Sequence, residues 1–170
     1  MRQSCIPLIL ACLAACCGAQ AQARMTPEAL LTSLCATWLG KGVSEGKRVT
    51  DVLRVRRGKD RSTLIAEAQA RTGDSFSAST ELVHLAGTEK FRAIERNNGK
   101  WPLREFSGNL RDQTLHLEER TAERHVLLRL KVVNATTVEV TESMVQSGNV
   151  KAPFVSMIFK LDPSKERCAA

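Results

Sequence analysis

Turn-forming residues recur along most of this 170-residue chain at a spacing that leaves room for strands and little else. Glycines stand at positions 46, 58, 73, 87, 99, 108 and 148. Two polar turn sequences, Thr121-Ala122-Glu123 and Asn134-Ala135-Thr136, divide the one long gap between them. Short segments separated by regular turns are typical of antiparallel sandwiches and barrels. No gap is long enough for the crossover helices that a parallel sheet requires.

The segments between the turns alternate in polarity, which indicates strands with one face in a core and the other in water. We predict about ten strands, near residues 37–43, 47–57, 61–72, 75–86, 89–97, 100–106, 112–119, 124–133, 137–147 and 152–162. An open meander of this length has two unpaired edges, and closure removes both. The predicted fold is therefore all-β, an antiparallel up-and-down meander closed into a barrel.

A short helix precedes the strands, and a pair of cysteines brackets them. Thr26 is a good N-cap and Pro27 suits the first helical position, so we predict a helix near residues 27–34. Cys35 just precedes the first predicted strand and Cys168 just follows the last. In a closed meander with an even number of strands, the first and last are antiparallel neighbours. A Cys35–Cys168 disulfide would then join the two sides of the seam, and two unpaired thiols are the alternative.

The N-terminal residues are typical of a secretory signal peptide. Arg2 is followed by an apolar run over residues 6–17, which is shorter than the roughly 20 residues of a spanning helix. Small residues then lead to an Ala-x-Ala site ending at Ala23. We predict a signal peptide over residues 1–23, one exported domain over residues 24–170, and a periplasmic or secreted location.

A second interpretation of the same segment is a lipid anchor. Leu13-Ala14-Ala15-Cys16 is similar to a bacterial lipobox, which would make Cys16 an acylated N-terminus in an outer-membrane lipoprotein. Cleavage after Ala23 instead leaves Cys35 and Cys168, the even number that an oxidising compartment favours. Both interpretations place the protein outside the cytoplasm.

The sequence Trp38-Leu39-Gly40-Lys41-Gly42 opens the first strand after the helix, and this order resembles the calycin superfamily. That superfamily includes lipocalins, fatty-acid-binding proteins and nitrobindin-like bacterial barrels. Its shared mark is a Trp at the start of the first strand, packed by a basic residue from the last strand. Trp38 matches the Trp, Ala36 stands where a Gly is usual, and Lys160 is the basic candidate at the base of the barrel.

Neither a cofactor nor a metal is expected. Nitrobindin-like barrels hold haem through a His near the C-terminal end, and the last predicted strand, Pro153 to Leu161, contains none. His116 and Glu118 share one face of a strand and could in principle share a metal ion. The apolar Leu115 and Leu117 occupy the other face, so we expect His116 and Glu118 to point to solvent.

The resemblance and the alternation together predict an exported barrel that binds a small apolar molecule or lipid in its interior. The residues predicted to line the site are Phe76, Leu82, His84, Phe91 and Met157, with Arg54, Arg56 and Arg57 near a headgroup. Two alternatives remain open for these residues. Phe76, Phe91, Met157 and Phe159 would fill the interior, and the arginines would form a solvated basic turn.

Two other functions stay open at this point. The net charge of +7 and the pI near 9.4 suit a protein-interaction module that acts through basic loops, such as an envelope inhibitor or accessory subunit. An isomerase- or cyclase-type enzyme would need a buried titratable group, for which His84 is the candidate, and no catalytic motif supports one. For an exported protein, acidic partners are lipid headgroups or glycans rather than nucleic acid. A membrane contact is expected only through an anchor at Cys16.

Overall fold

The computed structural model describes residues 24–71, 77–97 and 103–168. One helix, α1 (Pro27–Leu34), precedes the strands β1 (Thr37–Ser44), β2 (Lys47–Arg57), β3 (Thr63–Ala70), β4 (Ser77–His84), β5 (Lys90–Asn97), β6 (Arg104–Arg111), β7 (Thr114–Arg120), β8 (His125–Asn134), β9 (Thr137–Gln146), β10 (Asn149–Val150) and β11 (Val155–Leu161). The predicted signal peptide, residues 1–23, lies outside the described residues.

The strands form a closed antiparallel barrel, as predicted. Each of β1 to β9 pairs with the next strand along the chain, β11 pairs with β9, and β11 returns to pair with β1. The short β10 only extends a hairpin from β9. The seam between β1 and β11 runs from Trp38 opposite Leu161 to Ser44 opposite Val155. The polar outer face and closed hydrogen bonding make this a ten-stranded barrel compatible with a calycin-like fold.

The disulfide across the seam is confirmed. Cys35 and Cys168 are bonded, with their Cα atoms 5.5 Å apart and 133 positions apart in sequence. The Cys168 N–H also donates to the Cys35 carbonyl at 3.2 Å. The bridge therefore closes the barrel at the point where the chain enters and leaves it.

The sixth strand was misplaced by the sequence argument. Residues 100–106 were predicted as a strand, with Gly108 in the turn that follows it. Residues 100–102 lie outside the described residues, and β6 spans Arg104–Arg111 with Gly108 inside it. A Cβ atom on Gly108 would collide with the carbonyl oxygen of His116, so glycine is needed there for close approach of β7. The turn is made by Asp112 and Gln113, which have φ of +46° and +64°. Both central residues of this two-residue hairpin take the left-handed region without a glycine.

The helix α1 closes one end of the barrel. Thr26 caps it by accepting a hydrogen bond from the Ala29 N–H at 3.2 Å, as the sequence predicted. Leu30, Leu31 and Leu34 are buried against the barrel, and the Trp38 indole N–H donates to the Leu34 carbonyl at 2.8 Å. Helix and first strand are thereby locked together.

The barrel interior divides into two halves along its axis. The half next to α1, called here the closed half, packs large side chains into a continuous core that includes Leu64, Phe91, Phe106, Leu110 and Leu115. The other half, called the open half, begins where β2, β4, β6 and β8 start and where the intervening strands end. Strand register brings small and charged side chains to this half. Asp51 lies opposite Ala70, Ala68 lies opposite Ala78, and Glu95 lies opposite Arg104.

Candidate ligand site in the open half of the barrel

The inner wall of the open half contains apolar side chains that still contact solvent. Inward side chains in the filled part of the barrel are as buried as Leu64, which is 1% exposed. Several inward apolar side chains are instead only partly buried: Leu53, Ala66, Leu128, Leu130, Val140 and Val155. Their inward direction follows from register, since Leu53 lies opposite Trp38 and Val140 lies opposite Met157. Solvent therefore reaches into this half of the barrel.

Small residues make room on one side of this space. Ala68, Ala70 and Ala78 share the inward face of β3 and β4 near the open end. Large side chains at the equivalent depth would meet across a barrel of this size. The sequence pattern of alternate alanines thus has a direct structural consequence, because it leaves one side of the open half thinly lined.

The opposite side carries a charged cluster centred on Arg104. Its guanidinium contacts three carboxylates: Glu119 and Glu142, each at 3.1 Å, and Glu95 at 3.4 Å. Its Cζ atom also lies 4.7 Å from the centroid of the Phe106 ring. These four charged side chains, from β5, β6, β7 and β9, are called here the Arg104 cluster. Together they fix the relative positions of four strands from inside the barrel.

The Arg104 cluster is deeply buried for a set of charges. The side chain of Glu119 is 4% exposed, that of Arg104 12% and that of Glu142 14%. Arg124 reaches in from the rim and contacts the second oxygen of Glu119 at 2.6 Å. Three carboxylates therefore face two guanidinium groups in this part of the barrel.

Burial and ion pairing shift the pKa of Glu142 in opposite directions, and the same is true of Arg104. Burial raises the pKa of Glu142 above its usual range, and the nearby Arg104 only partly offsets this. Burial also disfavours the charge on Arg104, but Glu142 and Glu95 more than compensate, so the pKa of Arg104 is raised. The arginine stays charged, and burial makes the Glu142 carboxyl easier to protonate than an exposed carboxyl.

Two further polar groups lie at the inner face of the open half. Asp51 on β2 faces inward between Gly40 and Ala70, and burial raises the pKa of its carboxyl. Asn97 donates to Glu95 at 3.4 Å, while its side-chain oxygen is buried with no hydrogen-bond partner. Both groups are acceptors that a bound molecule with hydrogen-bond donors would satisfy.

Of the residues predicted to line a ligand site, Leu82, His84 and Phe91 lie in the closed half, and Met157 lies between the two halves. Leu82, Phe91 and Met157 are 8%, 1% and 4% exposed and belong to the core cluster that packs against α1. His84 lies at the end of β4 in the closed half, where its Nε2 is 2.6 Å from the Thr88 carbonyl and its ring packs on Phe91. Phe76 lies outside the described residues. Of the predicted lining, Met157 is the nearest to the open half, since it faces Gly42 and Val140.

The predicted basic residues are at the closed end as well. Arg57 donates to the Arg61 carbonyl at 3.0 Å and to the Thr32 hydroxyl at 2.9 Å, which ties the β2–β3 hairpin to α1. Arg56 pairs with Glu67 on the outer face at 3.6 Å, and Arg54 is exposed on the same face. Arg54 and Arg56 therefore lie on the outer face of the barrel wall, and Arg57 is held beside α1, so the three side chains point away from the interior of the open half.

Trp38 and Lys160 are not brought together. Trp38 is 1% exposed inside the barrel and lies opposite Leu161. Lys160 pairs with Leu39 on the outward face and donates to the Thr137 hydroxyl at 2.8 Å. The carbonyl of Leu34 satisfies the indole, so in this chain the helix supplies the contact that the resemblance assigned to a basic residue.

His116 and Glu118 occupy the outer face, as the alternation predicted. Glu118 contacts Arg120 and, at 3.3 Å, the His125 ring rather than His116. Among the described residues, no three His, Cys, Asp or Glu side chains are grouped so that they could hold a metal ion. The described ranges also contain no helix with the length and apolar character needed to cross a bilayer.

The Arg104 cluster is the main feature that the sequence argument missed. The misplaced sixth strand put Arg104 near a strand end and hid its direction. A signal was nevertheless present in β9, where Glu142 continues the inward stripe of Val138 and Val140. A charged residue within an apolar stripe predicts a buried partner of opposite charge.

Comparison with known proteins adds no family assignment. No protein-family model matches the chain, and no curated protein matches it at a significant level. The fold and the site described above therefore carry the functional argument.

Proposed function

We propose that this protein is an exported carrier that binds a small, mainly apolar molecule or a lipid in the open half of its barrel. The observation that carries the proposal is the set of inward apolar side chains that remain partly exposed, Leu53, Leu128 and Val140 among them. Apolar surface buried on binding contributes about 25 cal/mol per Å². A ligand that covers these side chains thus gains binding energy without displacing the core of the closed half.

The Arg104 cluster would orient such a ligand. Carboxylates outnumber the guanidinium groups there, and Asp51 and Asn97 add acceptors that are not satisfied by any described side chain. An apolar tail against β2, β8 and β9 would leave a polar head beside these acceptors. We therefore expect a head that donates hydrogen bonds, such as an amine or an alcohol, to bind better than a carboxylate of the same tail.

Export is part of the proposal. The Cys35–Cys168 disulfide supports an oxidising compartment, where such bonds form and persist. A signal peptide cleaved after Ala23 gives a released protein, and acylation at Cys16 gives an anchored one. Mass spectrometry of the N-terminal peptide from the native host separates the two, because only the anchored form carries acyl chains.

Displacement of a fluorescent apolar dye tests the binding proposal directly. Dodecylamine, dodecanol and dodecanoate share one tail length and differ in the head. We expect all three to displace the dye, with dodecanoate the weakest. Native mass spectrometry should show one ligand for each chain. A bare mass together with no dye uptake would contradict the proposal.

A matched pair of tryptophan substitutions locates the ligand. Ala68→Trp adds a large ring to the inward face of β3 and should abolish dye binding. Glu67→Trp adds the same ring to the outward face of the same strand and should leave binding within about twofold, since surface substitutions change little. Ala68→Leu, a smaller change, should weaken binding in proportion if the tryptophan variant does not fold. Equal loss in the Glu67 and Ala68 variants would place the ligand outside the barrel.

A further inference from the structure

The outer face of β5 to β8 forms a groove that is partly open to solvent and has a volume of about 960 Å³. It is called here the outer groove. It is on the other side of the barrel wall from the open-half interior. Five basic side chains line it, and only two carboxylates do: Lys90, Arg92, Arg111, Arg120 and Arg129 against Glu105 and Glu118. Its volume is within the range of small-molecule sites in proteins.

Two of the five basic groups are already neutralised. Arg92 contacts Glu105 at 2.8 Å, and Arg120 contacts Glu118 at 2.5 Å. In the described part of the chain, no carboxylate lies within ion-pair distance of Lys90, Arg111 or Arg129. The groove therefore holds three basic groups that form no ion pair with a described carboxylate.

Two of these charges, those of Arg129 and Arg111, act on one histidine, His116. Lys90, Asn109, His116 and Arg129 occupy one outward row across four neighbouring strands, each residue opposite the next. Neighbouring strands are about 4.8 Å apart, so Arg129 is one strand from His116 and Lys90 is two strands away. Arg111 is two residues beyond Asn109 on the same face of β6.

The surroundings of His116 lower the pKa of its imidazole. Partial burial lowers the pKa of its imidazole, and the charges of Arg129 and Arg111 lower it further. Asp112 and Glu118 act in the opposite direction but do not reverse the result. His116 therefore stays neutral near pH 7 and offers a ring N–H as a hydrogen-bond donor within a positive field.

The remaining groups of the groove suit an oxyanion with a small organic body. Ser107 and Asn109 lie along β6 with polar side chains on the outer face. Leu127, which is 8% exposed, and Leu85 supply apolar surface at the edges. Arginine and lysine around neutral donors are the side chains that proteins use to hold phosphate groups.

We propose that the outer groove binds a phosphate-bearing molecule, whose phosphate is held by Arg111, Arg129 and Lys90 beside His116. This site is independent of the interior carrier function, because it uses the opposite face of β5 to β8. The phosphate could belong to a soluble metabolite or to a lipid headgroup, and the two sources are distinguished by experiment.

Nuclear magnetic resonance of the histidine rings provides the test. Glycerol 3-phosphate is the soluble probe, and vesicles of phosphatidylglycerol in phosphatidylcholine are the membrane probe. A chloride salt at the same ionic strength is the control. A phosphate beside His116 should raise the apparent pKa of that ring and leave the ring of His84, which bonds to Thr88 in the closed half, unchanged. Response to the soluble probe assigns a metabolite, and response to the anionic vesicles alone assigns a headgroup. No response to either probe would overturn the proposal.

Two alanine variants provide the matched comparison. Arg129→Ala should weaken binding of the responding probe about tenfold or more, since it removes a charge-assisted contact. Arg48→Ala removes an exposed arginine from β2, outside the groove, and should leave binding within about twofold. Equal losses in both variants would mean that only the overall positive charge attracts the anion, and the site would be rejected.

Discussion

The two halves of one barrel use the same strands for opposite purposes. In the closed half, α1 and the large side chains of β3, β5, β6 and β7 fill the interior, and the disulfide closes the seam beside them. In the open half, alanines leave space, and the Arg104 cluster holds the wall in place. The fold therefore separates a packed core from a partly exposed inner wall along the barrel axis. Because large side chains pack the closed half, the fold does not require the open half to be filled.

The largest expected effect comes from opening the closed half at the seam. Replacing both Cys35 and Cys168 with serine should lower the free energy of unfolding by roughly 4–5 kcal/mol, as chain entropy predicts for so long a loop. Urea denaturation of the double variant, and of the native protein with a reductant, measures the loss. Midpoints that match the oxidised native protein would show that packing alone closes the barrel.

The next largest effect tests what holds the open half. Arg104→Met leaves three carboxylates inside the barrel without their shared cation and should cost about 3–5 kcal/mol at pH 7. Arg92→Met removes an exposed partner of Glu105 and should cost less than about 1 kcal/mol. Acidification that protonates the carboxylates should recover part of the Arg104 loss. Equal costs for the two variants would show that the cluster does not support the open half.

Leucine truncations compare the packing of the two halves directly. Leu64→Ala, in the closed half, should cost about 2–5 kcal/mol because it leaves a cavity in a filled core. Leu128→Ala, on the inner wall of the open half, should cost about 1 kcal/mol because the side chain is already partly exposed. Thermal denaturation of both variants provides the values. A larger loss at Leu128 would mean that the open half is packed like the closed one.

The smallest effect is a pH dependence at Glu142. Because burial raises the pKa of this carboxyl above the 4.5 of an ordinary glutamate, the folded state holds the proton more tightly than the unfolded state. Its contribution to stability is therefore fully present below pH 4.5 and decreases as pH rises through the folded pKa. Glu142→Gln removes this dependence, so the variant should gain stability relative to the native protein as pH rises.

A neutral substitution on the same strand controls for the Glu142 experiment. Thr141→Val changes a non-titrating side chain on the outer face of β9. Its effect on the free energy of unfolding should be the same at every pH. The difference in the free energy of unfolding between the native protein and the Glu142→Gln variant should change between pH 4 and pH 8. A constant difference would contradict the raised pKa of Glu142.

The fold was more predictable from sequence than the site. Alternating polarity and turn residues identified the strands because each strand has one wet face, and the positions of Cys35 and Cys168 indicated where the barrel closes. The hairpin at Asp112 and Gln113 was missed because both residues adopt a conformation for which glycine is the usual sign. Its omission displaced β6 and concealed the inward direction of Arg104.

The predicted ligand-binding residues show a second limit of the sequence argument. Leu82 and Phe91 were correctly predicted to face inward, but the alternation along a strand does not indicate depth along the barrel axis. That depth depends on the stagger of ten strands and on which end α1 covers. Large apolar side chains mark the closed half, and alternate alanines together with an inward charge mark the open half.

Chemical labelling of two engineered cysteines tests the division of the barrel most directly. Ala68→Cys puts a thiol on the inward face of the open half, and Ala93→Cys puts one in the closed half, where Ala93 is 1% exposed. Each variant is treated with iodoacetamide while it is folded. Mass spectrometry then measures the label on the peptide that carries the substituted position. The account predicts that position 68 is alkylated at a rate near that of a solvent-exposed thiol while position 93 is protected until the protein unfolds. Protection of both positions would contradict an accessible interior, and with it the proposed ligand site.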